Sequence, residues 1–136
     1  MKALRLLILA GCTFGFAGVA SAGDDFYGYA LAQRYPNVFK AYQAMLPKAY
    51  KKIAWLYKLD GTSDPVTSQT IGGDDYLSVW VCKPHDCGGN GVAILSTLDA
   101  SRVVAEVQMD GVNGGNGQYF GNPSNDERAE LDARFN

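Results

Sequence analysis

VTSQTIGGDDYLSVWVCKPHDCGGNGVAILSTLDASRVVAEVQM, residues 66–109, is the stretch from which the fold is read. It holds four β-prone runs: Val66–Ile71, Tyr76–Cys82, Val92–Thr97 and Arg102–Met109. Between them lie Gly72-Gly73-Asp74-Asp75, a cysteine loop followed by Gly88–Gly91, and the turn at Asp99–Ser101, all rich in turn-forming residues. Connections this short leave no room for crossover helices, so the runs are expected to pair antiparallel as a meander.

Upstream of this block, Val38, Tyr42, Met45, Leu46 and Ala49 recur with the 3.6-residue period of a helix. Pro47 ends or kinks that helix, because a proline disfavours helical geometry at the residue before it. An earlier helix, capped by Asp24 and Asp25 and carrying Phe26, Tyr29, Ala30 and Gln33, is interrupted at Tyr35-Pro36. Lys48, Lys51 and Lys52 cluster ahead of Trp55 and read as a solvated face. Downstream, GVNGGNG at 111–117 reads as a flexible loop; it lacks the strand-to-helix setting and the lysine of a phosphate-binding loop. Ser124 with Glu127 forms a capping box that opens a helix through Leu131 toward Phe135. The order helix, helix, sheet, helix gives an α+β domain. The expectation is an antiparallel sheet of about five strands flanked by helices, with the cysteine loop protruding.

A chain of 136 residues supports one core, and 47% hydrophobic with 19% charged residues excludes a disordered polymer. A net charge of −2 gives no electrostatic basis for binding nucleic acid. His85 is the single histidine, which excludes multi-histidine metal sites.

Lys2 and Arg5 precede an apolar run, Leu6–Val19, and then Ala20-Ser21-Ala22, the layout of a signal peptide covering residues 1–22. The run is too short and too glycine-rich for a good membrane span. Leu9-Ala10-Gly11-Cys12 also resembles a lipobox, which would make Cys12 a lipid anchor. The short apolar region that this would leave, and the apolar residues that follow Cys12, favour cleavage after Ala22. Removing residues 1–22 from 136 leaves 114 (residues 23–136). It takes the basic count from 12 to 10 against 14 acidic residues, for a net charge of −4. Cys82 and Cys87 are then the remaining cysteines, and an even pair in an exported chain favours one disulfide.

Cys82-Lys83-Pro84-His85-Asp86-Cys87 is the densest chemical constellation in the chain. Closing so small a ring stabilises a fold by only about 2 kcal/mol, so rigidity is the better reading than stapling. Pro84 fixes one φ, a disulfide pins both ends, and His85 is left at the apex of a stiff loop. Pre-ordering such a loop lowers the entropy lost when it enters a partner. Other uses stay open. A zinc site from Cys82, His85 and Cys87 needs a fourth ligand. A thiol–disulfide enzyme would normally carry Cys-x-x-Cys. His85 with Asp86 as base and orienter lacks an evident nucleophile. A surface turn with an incidental disulfide is the plainest alternative.

With Gly88 behind it, this motif resembles the signature loop of the Ivy family, inhibitors of vertebrate lysozyme in Gram-negative periplasms. Ala54-Trp55, Gly61-Thr62 with Pro65, and Gly73-Asp74-Asp75-Tyr76 stand in the order that the family shows, so the resemblance spans residues 37–109. It implies a periplasmic inhibitor of C-type lysozyme, not an enzyme, with residues 23–136 as the inhibitor domain. In the family the loop enters the lysozyme cleft and its histidine, matched here by His85, meets the two catalytic carboxylates. An imidazole can bond both, most favourably when protonated. Lys83 adds positive charge beside an acidic cleft, Pro84 and Asp86 shape the loop, and Cys82 and Cys87 support it. A chain of net charge −4 also complements a basic enzyme. The bacterium's own lytic transglycosylases, which cut the same glycan, are the alternative target. A periplasmic metal-binding or thiol-redox module is the alternative from another class. The resemblance allows a homodimer, and no cofactor, resident metal, nucleic acid or membrane span is expected.

Overall fold

The computed structural model describes residues 25–136; the expected signal peptide and Cys12 lie outside the described residues. A 3-10 turn, Gly28–Ala30, runs into α1 (Leu31–Arg34). Asp24 lies outside the described residues, and Asp25 does not cap it: the N-cap position is Tyr27, which makes no side-chain capping bond, so an acid two positions upstream has no helix end to serve. α2 (Pro36–Met45) starts on a proline, whose missing N–H costs nothing in the first turn. It buries Val38 and Tyr42 and stops where expected, with Leu46 extended at ψ 134° ahead of Pro47. The chain then restarts out of phase in α3 (Lys48–Lys51), so Ala49 is exposed and Tyr50 takes the buried position. Lys48, Lys51 and Lys52 are exposed. α4 (Ala54–Lys58) ends at Leu59, buried in a left-handed conformation with φ 56°.

Six antiparallel strands follow: β1 (Thr62–Ser63), β2 (Thr67–Ile71), β3 (Asp74–Cys82), β4 (Asn90–Thr97), β5 (Val103–Met109) and β6 (Gln118–Phe120). Both β1 and β2 pair with β3, and the order continues β3-β4-β5-β6. The two edge pieces are one strand broken at Pro65, which has no N–H for a ladder; Tyr27 bridges to Pro65 instead, and the Val66 amide donates to the Phe26 carbonyl (2.7 Å). Between β5 and β6 the glycine-rich segment is partly helical, α5 (Asp110–Asn113), and turns through Gly114 and Gly115 at positive φ. The expected loop is thus shorter than the glycines suggested. Asn113 stabilises the turn by accepting from the Met109 amide (2.8 Å) and donating to the Val107 carbonyl (2.9 Å). α6 (Asn125–Asp132) opens with the expected Ser124/Glu127 capping box.

Alternation along the strands sorts the two faces. Val79, Val81, Val92, Ile94, Ala105 and Val107 pack beneath α2 to α4 with Leu31, Tyr42 and Leu56. On the other face Tyr76, Ala93, Leu95 and Val104 pack against Leu131 of α6. The sheet is therefore covered on both sides, and its central strand β4 is buried along almost all its length. The cysteine loop joins the two longest strands at one end of this sandwich.

Candidate functional site

The loop's position follows from register. Cys82 closes β3 opposite Gly91 of β4, and on its other side it faces Thr62 of β1. One end of the loop is thus held in the sheet, with Cys82 fully buried. The Lys83 amide donates to the Asn90 carbonyl at 3.0 Å, extending the ladder by one rung, and the Asp86 amide donates to the Lys83 carbonyl at 3.0 Å, folding 83–86 into a tight turn. Cys82 and Cys87 are joined by a disulfide across a Cα separation of 5.0 Å. Pro84, His85, Asp86 and Cys87 are all exposed.

His85 lies within this turn at φ 62°, the left-handed region that few non-glycine residues adopt. A single residue held there needs surrounding constraints, and the turn bond and the disulfide supply them on either side. Lys83 Nζ reaches across to Asp86 Oδ2 at 2.8 Å. The hydrogen bond and charge of Lys83 hold the Asp86 carboxyl below the usual carboxylate range. The two charges of the loop therefore satisfy each other, and the imidazole faces solvent. With both sulfurs in the disulfide, the thiolates needed by a zinc or thiol-exchange reading are absent in this form.

The base of the loop carries a second tether that local sequence patterns do not announce. Asn90 is buried; its Nδ2 donates to the Gly88 carbonyl (3.3 Å) and to Asp110 Oδ2 (3.4 Å), and its Oδ1 accepts from the Asp110 amide (3.3 Å). Gly89 sits at φ 71° directly against the Asp110 carboxylate, where a Cβ would collide with an oxygen. Gly-Gly-Asn-Gly marked a turn, but its partner Asp110 is 20 residues away. The register of β4 on β5, which pairs Asn90 with Met109, brings them together.

The disulfide-closed loop thus stands at the end of a sheet that is covered on both faces. Residues 37–115 match the model of the Ivy family, described as inhibitor of vertebrate lysozyme, and the chain belongs to that family. It is 34% identical over 76 residues to the inhibitor of vertebrate lysozyme of Escherichia coli K12, covering 56% of this chain and 46% of that one. It is 30% identical over 87 residues to the protein of the same name from Pseudomonas aeruginosa, covering 57% of each. An uncharacterised protein of Yersinia pestis is 36% identical over 67 residues, 48% of this chain and 44% of that one. The chain thus spans about half the length of the curated relatives it matches. The family's name describes inhibition and not catalysis. Among the described residues no helix is long and apolar enough to cross a membrane.

Proposed function

We propose that this chain inhibits C-type lysozyme by inserting the Lys83–Asp86 turn into the enzyme's active-site cleft. One observation carries the reading: His85 is exposed in a left-handed conformation inside a turn closed by the Cys82–Cys87 disulfide and anchored at its base through Asn90. A loop already in one conformation loses little entropy on docking. A retaining glycosidase offers two carboxyl groups about 5 Å apart, a spacing that one imidazolium can span with its two N–H donors. Lys83, already satisfied by Asp86, contributes to orientation more than to anchoring. Family membership supports the same reading.

The reading includes export: residues 1–22 are removed after Ala22, and residues 23–136 act in the periplasm, where the disulfide forms. The intact mass of the purified periplasmic protein checks both the cleavage point and the disulfide.

The direct test is titration of that protein into a turbidity assay of a vertebrate C-type lysozyme lysing bacterial cells. Stoichiometric inhibition is expected. His85→Ala should weaken it by about 2 kcal/mol or more without altering the unfolding midpoint, since it removes a central anchor that touches nothing in the core. No inhibition by the wild type at large excess, with the disulfide intact, would overturn the reading and make lytic transglycosylases the next target to assay.

A further inference from the structure

On the α6 side of the sheet, at the same end as the loop, a polar cleft of about 400 Å³ opens between β5, β6 and the C-terminal end of α6. Its floor is Glu106, whose side chain belongs to the face of the sheet covered by α6 and not to the solvated surface. Glu106 is only 2% exposed. Gln108 Nε2 donates to one of its oxygens at 3.0 Å, while the other, Oε2, is buried and has no hydrogen-bond partner among the described residues. Gly117 lies so close to the Glu106 carboxylate that a Cβ there would overlap it, so the glycine keeps the cleft open on that side. A second carboxylate, Asp132, lines the same space and accepts a hydrogen bond from the Tyr119 hydroxyl. Burial, with Asp132 nearby, pushes the Glu106 carboxyl up to about 7.

Two carboxylates, Glu106 and Asp132, line this cleft. Among the described residues neither Glu106 nor Asp132 has an ion-pair partner. The nearby Arg128 lies over the Tyr119 ring, 4.8 Å from its centroid, and Arg134 is turned to Asp64. Two carboxylates with no third acidic, histidine or cysteine ligand make a poor metal cage, and no group of three such residues occurs among the described residues. The space is also far larger than a bare ion. It suits a guanidinium or ammonium on a flexible stem, with the guanidinium favoured because it can bond two carboxylate oxygens at once.

The cleft lies close to the loop. Gln108 pairs with Gly91, which pairs with Cys82, so two strand spacings, about 10 Å, separate the cleft wall from the loop's root. A standard interface covers about 800 Å² on each partner, enough to span both. We propose that the Glu106–Asp132 cleft seats an arginine or lysine side chain of the protein that the Cys82–Cys87 loop engages. This rests on the reading of that loop as the partner-binding element.

Two measurements separate the cleft from the loop. Calorimetric titration of a vertebrate C-type lysozyme into wild type, Glu106→Gln and His85→Ala gives the partner arm. NMR titration with N-acetyl-argininamide, followed at the Gln108 side-chain amide and the Trp80 indole N–H against Gly91, gives the direct arm. At pH 8, where Glu106 is ionised, Glu106→Gln keeps the shape and removes the charge; it should weaken lysozyme binding about tenfold or more and abolish the argininamide shifts. Asp132→Asn serves as the second variant if Glu106→Gln does not fold. Undiminished affinity in Glu106→Gln, alongside weakened binding by His85→Ala, would overturn the cleft and leave the loop standing. If the wild type does not bind lysozyme, the loop reading fails and the argininamide arm decides: charge-dependent shifts keep the cleft as a site for basic side chains, and their absence removes it.

Discussion

Glu127 and Glu106 are both glutamates buried on the α6 side of the sheet, 3% and 2% exposed, and their surroundings shift their carboxyls in opposite directions. Glu127 receives four donors. Arg102 Nε (2.8 Å) and the Tyr76 hydroxyl (3.0 Å) meet one oxygen; Arg102 Nη2 (2.5 Å) and the Ser124 amide (2.7 Å) meet the other. The Arg102 hydrogen bonds outweigh burial and hold its carboxyl down at about 2. Glu106 receives one donor, from Gln108, and burial wins, taking it up to about 7. Burial alone therefore does not decide whether a carboxylate is charged; the donors and charges around it decide as well. The difference maps onto the fold. Glu127 anchors α6 near the β4–β5 turn with both its oxygens bonded, whereas Glu106 lies toward the loop end with one oxygen unbonded among the described residues.

The largest effect comes from breaking the satisfied side. Arg102→Met strands a buried, charged Glu127 and should cost about 3 kcal/mol, read from the urea midpoint. Glu127→Gln should cost less, about 1–2 kcal/mol, because the amide still bonds and Arg102, with a side chain 39% exposed, can turn to water. No cost from either substitution would mean that Leu131 and its apolar neighbours hold α6 without help from the pair.

Changing pH sharpens the contrast without mutation. Glu127 has a folded value below its unfolded one, near 4.5, so its contribution is present above that pH and fades as pH falls toward 2. Glu106 has a raised folded value, so its contribution is present below about 4.5 and is lost as pH rises through about 7. Stability should climb from pH 2 to about 4.5 and then decline toward pH 8, by on the order of 2 kcal/mol for Glu106. Glu106→Gln should flatten the decline and leave the acid limb in place. A profile unchanged by that substitution would show that Glu106 does not ionise on its own within this range.

The satisfied side was also the more legible one. Ser124 and Glu127 are three residues apart, so the capping box can be read locally, and turn residues together with runs of Val, Ile, Leu and Tyr announced β2 to β5. The two-residue β1 and three-residue β6 carry too little pattern to stand out, and α5 lies inside a glycine run that reads as loop. The loop itself was visible as Cys82–Cys87 with His85 between. Its tether to Asp110 and the approach of Glu106, Gly117 and Asp132 arise only from strand register and the docking of α6. No spacing in one dimension encodes them.

The smallest effect is expected at the other short ion pair. Lys83–Asp86 spans 2.8 Å, close to the 2.5 Å of Arg102–Glu127, but its side chains are 45% and 49% exposed. Water competes for both groups, so Asp86→Asn should leave the unfolding midpoint unchanged within error. If the loop docks as proposed, the effect of this substitution falls on binding rates. Releasing Lys83 makes the loop more positive, which should speed encounter with an acidic cleft, most visibly at low salt. The same change loosens the turn that holds His85 at positive φ, so dissociation should speed up as well. Surface plasmon resonance on immobilised lysozyme reads the two rates separately, and both should rise roughly two- to threefold with little net change in affinity. A rise in association alone would assign the pair to electrostatic tuning; a rise in dissociation alone would make it a brace for His85.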